Sequence, residues 1–321
     1  MTLLPFPIMA KKKSNLQAAV ELGLVKGVIW LIGRMPFRTA QRFGGNLGVF
    51  FHDLVGIRVK HARAELLRCF PEKTEEWAAR TVREVYRHFG TLAVEQALMP
   101  KMNPEVETFV HVDEASYRRL EEVYATNRGI FMVSCHMGNW ENIMGMMIKK
   151  GYKITGVAAN QANKGVDTLL DENRRSVGLQ MLKRGEAATG ILRAIKQNCI
   201  IATMLDQDAG SEGVFVPFFG RMASTTRGAA TIALRRNANV MMMQTWRDER
   251  NDIQVRLHDV EYELTGDFHE DVVGMTAWMT TKIEEWIRQR PSQWLWLHRR
   301  WKTSPPKETV ETDPGSKNQA E

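Results

Sequence analysis

Apolar positions recur at spacings of three and four from Arg34 to about Met102. Between Thr74 and Met99, the residues Trp77, Ala78, Val82, Val85, Phe89 and Leu92 share one face with Arg and Glu between them. That pattern predicts a long helix with one buried stripe, closed by Pro100, Asn103 and Pro104. Near residue 128 the period changes. Gly129 opens a short apolar run from Ile130 to Cys135, the pattern of a strand buried on both faces. Further apolar runs predict strands at 152–159, 199–205, 213–218 and 240–246, and polar alternation predicts another at 253–258. Helical patterns at 141–150, 168–177, 187–196 and 228–236 separate most of them. Strands alternating with helices predict an α/β core with a largely parallel sheet and an antiparallel element near the end. A last helix at 271–290 stops at Pro291. The chain thus divides into a helical region over 1–105, an α/β core over 106–302 and a polar, proline-bearing tail over 303–321, which predicts disorder.

The N-terminal pattern differs from all of these. Lys11, Lys12 and Lys13 precede an apolar stretch over 16–32 that Glu21 and Lys26 interrupt, and no small-residue cleavage site follows. It fits neither a signal peptide nor a clean span of about 20 apolar residues. It predicts a helix lying in a membrane interface, with Leu22, Leu24, Val25, Val28, Ile29, Trp30, Leu31 and Ile32 entering lipid; a helix packed on the core is the alternative. The lysines would keep that end on the cytoplasmic side of a membrane, giving a peripheral or monotopic protein or a single N-terminal anchor.

Composition narrows the function. With 44% hydrophobic and 25% charged residues, wholesale disorder, collagen and a multi-span membrane protein are excluded. The net charge of +7 favours an anionic membrane surface, nucleic acid or an acidic protein partner. The basic residues form no tract and no known nucleic-acid motif appears, which argues against nucleic acid. Cys69, Cys135 and Cys199 are far apart and odd in number, so neither a disulfide framework nor a CxxC zinc pair is expected and the setting is a reducing one. The 9 Trp and 18 Met suit a membrane interface or an ordinary interior.

Candidate chemistry begins at the end of the first core strand, in His136-Met137-Gly138-Asn139-Trp140-Glu141. Five residues apart on one helix would place His136 and Glu141 about 140° from each other. They meet only if His136 sits on the strand-to-helix loop and Glu141 in the first helical turn, at the carboxyl end of a parallel strand where α/β proteins place their sites. A carboxylate on one imidazole nitrogen leaves the other as a base, able to take a proton from an acceptor hydroxyl. The spacing alone equally fits a satisfied structural pair. Asp206 and Asp208, after an apolar strand, fit a functional element or a loop cap, and a hydrolase using His136 and these aspartates around a metal is a further reading.

The segment SCHMGNWEN at 134–142 resembles the HxxxxD/E motif of the glycerolipid-type acyltransferases, in the Glu version of the bacterial lipid A biosynthesis (lauroyl/myristoyl) acyltransferase family. The segments at 206–235 and 291–302 resemble that family's second and C-terminal signatures. The resemblance implies a three-layer α/β/α acyltransferase fold with a mostly parallel mixed sheet behind a helical, membrane-associating N-terminal region. It implies transfer of a fatty acyl chain from an acyl-carrier-protein thioester to a hydroxyl of a lipid A precursor at the inner membrane, with no acyl-enzyme. No cofactor is expected, and His136, Asp206 and Asp208 have no recognised metal-ligand spacing. By position, His136 would be the general base and Glu141 its orienting partner. Arg174, or its neighbour Arg175, would meet acceptor phosphate or the thioester oxyanion. Asp206 and Asp208 match a DxD-like element, and Phe218-Phe219-Gly220 would line the acyl pocket or simply pack. Arg227, Arg299 and Arg300 would hold phosphate or headgroups. The asparagine that the family often carries before the N-terminal Phe-Pro is absent, the chain reading Glu65-Leu66-Leu67-Arg68-Cys69-Phe70-Pro71. Another glycolipid or aminolipid, such as a phosphatidylinositol mannoside, is the alternative acceptor.

Overall fold

Four helices lead the chain: α1 (Asn15–Ile32), α2 (Phe37–Leu54), α3 (Val59–Cys69) and α4 (Glu75–Met102). This is a computed structural model, and it describes residues 15–158, 163–183 and 187–306. The long helix read from the 3.6-residue period is α4. The Thr74 side chain caps it by accepting the Trp77 N–H at 3.2 Å, with Glu75 and Glu76 in the first turn. Its stripe of Ala78, Val82, Val85, Phe89 and Leu92 is fully buried. Against it α2 packs backbone to backbone. A Cβ on Gly48 would stand 2.0 Å from the Tyr86 carbonyl oxygen, and one on Gly90 would stand 2.2 Å from that of Gly44, so only glycine permits this approach.

The core follows as β1 (Val110–Val112), α5 (Glu114–Ala125), β2 (Ile130–Ser134), α6 (Asn142–Lys149), β3 (Ile154–Ala158), α7 (Lys164–Ser176), β4 (Gln180–Lys183), α8 (Ala187–Lys196) and β5 (Ile200–Met204). Then come β6 (Val214–Phe218), β7 (Arg221–Thr225), α9 (Gly228–Arg236), β8 (Asn239–Arg247), β9 (Ile253–Asp259) and α10 (Phe268–Gln289). Seven strands form one sheet in the order β1-β9-β8-β2-β5-β3-β4, while β6 and β7 make a separate hairpin. All neighbours in the sheet run parallel except β8 and β9. The fold is therefore mixed α/β with a mostly parallel sheet, and its antiparallel pair lies late in the chain. At the centre, every residue of β2 is buried, which is why it reads as an unbroken apolar run.

The sequence pattern misses β1, β4 and β7. They are three to five residues long and carry His111, Gln180, Lys183 or Arg221, too short and too polar for a periodicity to register. The final helix begins before residue 271, because the Asp267 carboxylate caps it by accepting the Glu270 N–H at 2.8 Å. The tail does not part from the core at 303: the Thr303 hydroxyl donates to Asp208 at 3.0 Å. Residues 307–321 lie outside the described residues, as do Lys11, Lys12 and Lys13.

Helix α1 departs from the expected lipid-facing set at two positions, because one edge of it packs on the protein core. Val25 and Ile32 are buried, whereas Val20, Leu24, Trp30 and Leu31 are exposed. Among the described residues, no helix is long and apolar enough to cross a membrane.

Candidate active site

The sheet register brings the site together. Ser134 of β2 pairs with Met204 of β5, so residues two positions beyond each strand, His136 and Asp206, emerge side by side at the carboxyl edge. The imidazole Nδ1 lies 2.8 Å from Asp206 Oδ1. Asp206 Oδ2 accepts the backbone N–H of His136 at 2.8 Å and the indole N–H of Trp294 at 2.7 Å. Three segments far apart in sequence thus converge on one carboxylate. Burial alone would push the Asp206 carboxyl up. The His136 charge and the hydrogen bonds from His136 and Trp294 more than offset this and hold it down at about 2. An ionised Asp206 accepts from Nδ1–H, which leaves the Nε2 lone pair free to act as a base.

Around Nε2, the Gln207 amide stands 3.4 Å away and the Trp140 ring meets the imidazole edge to face at 4.9 Å. The His136 side chain retains 14% of its exposure while that of Asp206 retains 2%. A substrate can therefore reach the base but not its partner.

Glu141 takes another place than the one its spacing predicts. It lies at the start of α6, but both carboxylate oxygens are occupied by Arg174, at 2.6 and 3.1 Å in a bidentate fork, with Asp171 on the far side of the guanidinium at 3.6 Å. The carboxylate that orients His136 is that of Asp206. Of the two adjacent arginines, Arg174 of α7 faces the loop and Arg175 is exposed. We expect Arg174→Lys and Glu141→Gln to be non-additive in turnover, with a coupling of about 0.5–3 kcal/mol. Strict additivity in the double variant would show that the two side chains act separately.

The loop between His136 and Glu141 is pinned from several sides. Gly138 has φ +62, and a Cβ there would stand 2.5 Å from the Thr245 backbone, so only glycine fits. The Thr245 hydroxyl donates to the Met137 carbonyl at 2.6 Å, and His88 Nε2 contacts the Gly138 carbonyl at 3.1 Å. The Asn139 side-chain oxygen accepts the N–H groups of Glu141 and Asn142 at 3.1 Å each, and its amide donates to Glu95 at 2.7 Å. Glu95, fully buried on α4, is also paired in a fork with Arg247 of β8 at 2.7 Å on both arms. The helical region thereby grips the site loop through one buried ion pair. Removing one partner of such a pair costs about 3–5 kcal/mol, because the other charge stays buried and unmatched. Glu95→Ala should lower the denaturation midpoint accordingly, and an unchanged midpoint would mean that water reaches Arg247.

The remaining sequence candidates divide by exposure. Arg227 and Arg299 are exposed. Arg300 is not available to a headgroup: it is 1% exposed and donates to the Ser224 carbonyl at 2.5 Å, to the Gln207 carbonyl at 3.3 Å and to the Thr225 hydroxyl. Asp208 holds Thr303, and its N–H donates to His298 Nε2 at 2.9 Å. Burial, the dominant influence on His298, pushes this imidazole down to about 4, so it accepts in its neutral form. Phe218 and Phe219 are buried among Trp294, Trp296, Trp301 and Phe70, where they pack. A cleft of about 470 Å³, lined by Arg38, Gln41, Arg42, Glu249 and Asp252 among others, reaches Glu95 through Gln41 but includes neither His136 nor Asp206. Among the described residues, no three His, Cys, Asp or Glu side chains converge as a metal site.

Sequence reasoning missed Gln207, Trp294, Asn139, Glu95 and Arg247 as parts of the site. Gln207 and Trp294 lie inside the second and third signatures; for Glu95 and Arg247 only the oddity of a charge among buried helix or strand positions gives a signal.

The sequence model of the bacterial lipid A biosynthesis acyltransferase family matches residues 9–303. The relatives include two enzymes of Escherichia coli (strain K12). A lipid A biosynthesis palmitoleoyltransferase is 27% identical over 293 residues, 87% of this chain and 90% of that protein. A lipid A biosynthesis lauroyltransferase is 27% identical over 284 residues, with 87% and 90% covered. A phosphatidylinositol mannoside acyltransferase of Mycobacterium tuberculosis (strain CDC 1551 / Oshkosh) is 22% identical over 187 residues, 57% of each chain.

Proposed function

Since the chain belongs to the bacterial lipid A biosynthesis acyltransferase family, we propose that it moves a fatty acyl chain from an acyl-carrier-protein thioester directly to a hydroxyl of a lipid A precursor. The observation that carries this reading is the imidazole of His136, held through Nδ1 by Asp206 with Nε2 turned toward substrate. The acceptor hydroxyl gives its proton to Nε2 as its oxygen attacks the thioester carbon. The tetrahedral adduct then collapses, the C–S bond breaks, and the imidazolium returns the proton to the leaving thiolate. Asp206 stays ionised throughout and stabilises the transient imidazolium. No acyl-enzyme forms, because the nucleophile is the acceptor itself.

In this reading Glu141 and Arg174 shape the loop that carries His136, and the exposed Arg175, Arg227 and Arg299 meet anionic groups of donor or acceptor. Asp208 acts one step back, by holding His298 and Thr303 in place. The sheet with helices between its strands supports a three-layer acyltransferase core. The exposed Val20, Leu24, Trp30 and Leu31 of α1 support peripheral attachment to the cytoplasmic face of the inner membrane. A phosphatidylinositol mannoside or another glycolipid is the second acceptor, favoured by the partial likeness to the mycobacterial enzyme.

The test is incubation of the purified chain with acyl-carrier-protein thioester and a lipid A precursor, read by the mass of the lipid. A gain of one acyl chain is expected. Acylation of a different lipid when whole membranes are supplied would move the acceptor assignment, and free fatty acid as the main product would mean a hydrolase.

A further inference from the structure

Between α2 and α3 the chain turns through Val55-Gly56-Ile57-Arg58, and the turn shows an unusual division of polarity. Phe50, Leu54, Val55 and Ile57 are 54%, 70%, 48% and 42% exposed, a run of large apolar side chains projecting into solvent. Their backbone is held inward. The Tyr86 hydroxyl donates to the Ile57 carbonyl, and Arg58 donates to the Leu297 carbonyl at 2.8 Å. Gly56 at φ +59 and Arg58 at φ 60 set the turn. The tip is therefore an apolar projection anchored at Ile57 and Arg58.

Its rim is cationic. Lys60, Arg299 and Lys302 are exposed, and Arg58 lies against the 297–299 segment. Burial first, and then repulsion from Arg299, push the Arg58 guanidinium below its ordinary value, so two like charges sit close together. Among the described residues neither pairs with a carboxylate. The one acid within the tip, Asp53, is already taken by Arg83 and His52. An apolar projection bordered by Arg58 and Arg299, neither paired with a carboxylate, matches a bilayer with anionic headgroups, with side chains entering the acyl boundary and arginines on phosphate. The patch also abuts the site. Arg299 follows His298, whose Nε2 accepts the Asp208 N–H at 2.9 Å, two residues beyond Asp206.

We propose that residues 50–58 together with Arg299 form a second membrane-docking surface, separate from α1, which seats the catalytic edge on an anionic bilayer. The proposal rests on the lipid-acceptor reading only for its purpose, since bilayer binding is measured without acyl transfer.

The experiment uses the full chain and phosphatidylcholine vesicles with or without phosphatidylglycerol, read by co-sedimentation. Leu54→Glu combined with Ile57→Glu should weaken binding to phosphatidylglycerol vesicles by about tenfold or more, with an unchanged circular dichroism spectrum and thermal midpoint. Turnover on detergent-dispersed acceptor should persist. Arg299→Glu should flatten the dependence on phosphatidylglycerol. As a probe that leaves the fold untouched, Leu54→Cys carrying an environment-sensitive dye should shift to the blue on vesicles; Cys69, Cys135 and Cys199 are buried and escape labelling. Unchanged vesicle affinity with an unshifted dye would overturn the proposal. So would unchanged vesicle affinity with weakened binding of acyl-carrier protein, which would assign the patch to that protein. If the wild-type chain transfers no acyl group yet the dye still shifts, the acyltransferase reading fails and the docking surface stands.

Discussion

Replacing His136 by alanine should lower turnover by about 10²–10⁴-fold, the usual contribution of a general base. The substitution also takes one donor from the buried Asp206, which keeps the backbone N–H of residue 136 and the Trp294 indole, so the protein should fold with reduced stability. His136→Asn separates the two effects. Its amide can donate to Asp206 as Nδ1 does, but it offers no base, so stability should recover while turnover does not. Turnover recovering together with stability would show that the imidazole is needed only as a hydrogen-bond donor.

Asp206→Asn should be comparably severe, at about 10²–10⁴-fold in turnover, although the substitution is isosteric. The asparagine amide can present an N–H to Nδ1, which moves the imidazole proton to Nε2 and leaves no lone pair facing substrate. It also removes the charge that stabilises the imidazolium. The indole of Trp294 and the backbone of His136 can still donate to the amide oxygen, so the site geometry should survive. Glu141→Gln differs in kind. Gln keeps one of the two acceptors for Arg174, and Asp171 stays nearby, so a loss of about tenfold or less is expected.

Much of the architecture is legible along the chain because it rests on short-range periodicity. The stripe of α4 and the apolar run of β2 follow directly from burial on one face or on both. By contrast β1 and β4, at the edges of the sheet, carry too few residues for alternation to register. The site is legible in part. His136 stands out as a histidine at a strand end, and spacing draws attention to Glu141 five residues on. Its true partner is 70 positions away and becomes a neighbour only through the register of β2 on β5, which no local pattern encodes. Arg300 misleads for a related reason: in His298-Arg299-Arg300 it reads as surface charge, yet the β7 carbonyl of Ser224 draws it into the interior. Of those three residues only Arg299 is exposed.

The most direct test of the account is a comparison of turnover for Asp206→Asn and Glu141→Gln on acyl-carrier-protein thioester and a lipid A precursor, with folding verified for both. The geometry at His136 predicts the larger loss for Asp206→Asn, by about tenfold or more over Glu141→Gln. A near-wild-type Asp206→Asn beside an inactive Glu141→Gln would contradict it and return Glu141 to the position against His136.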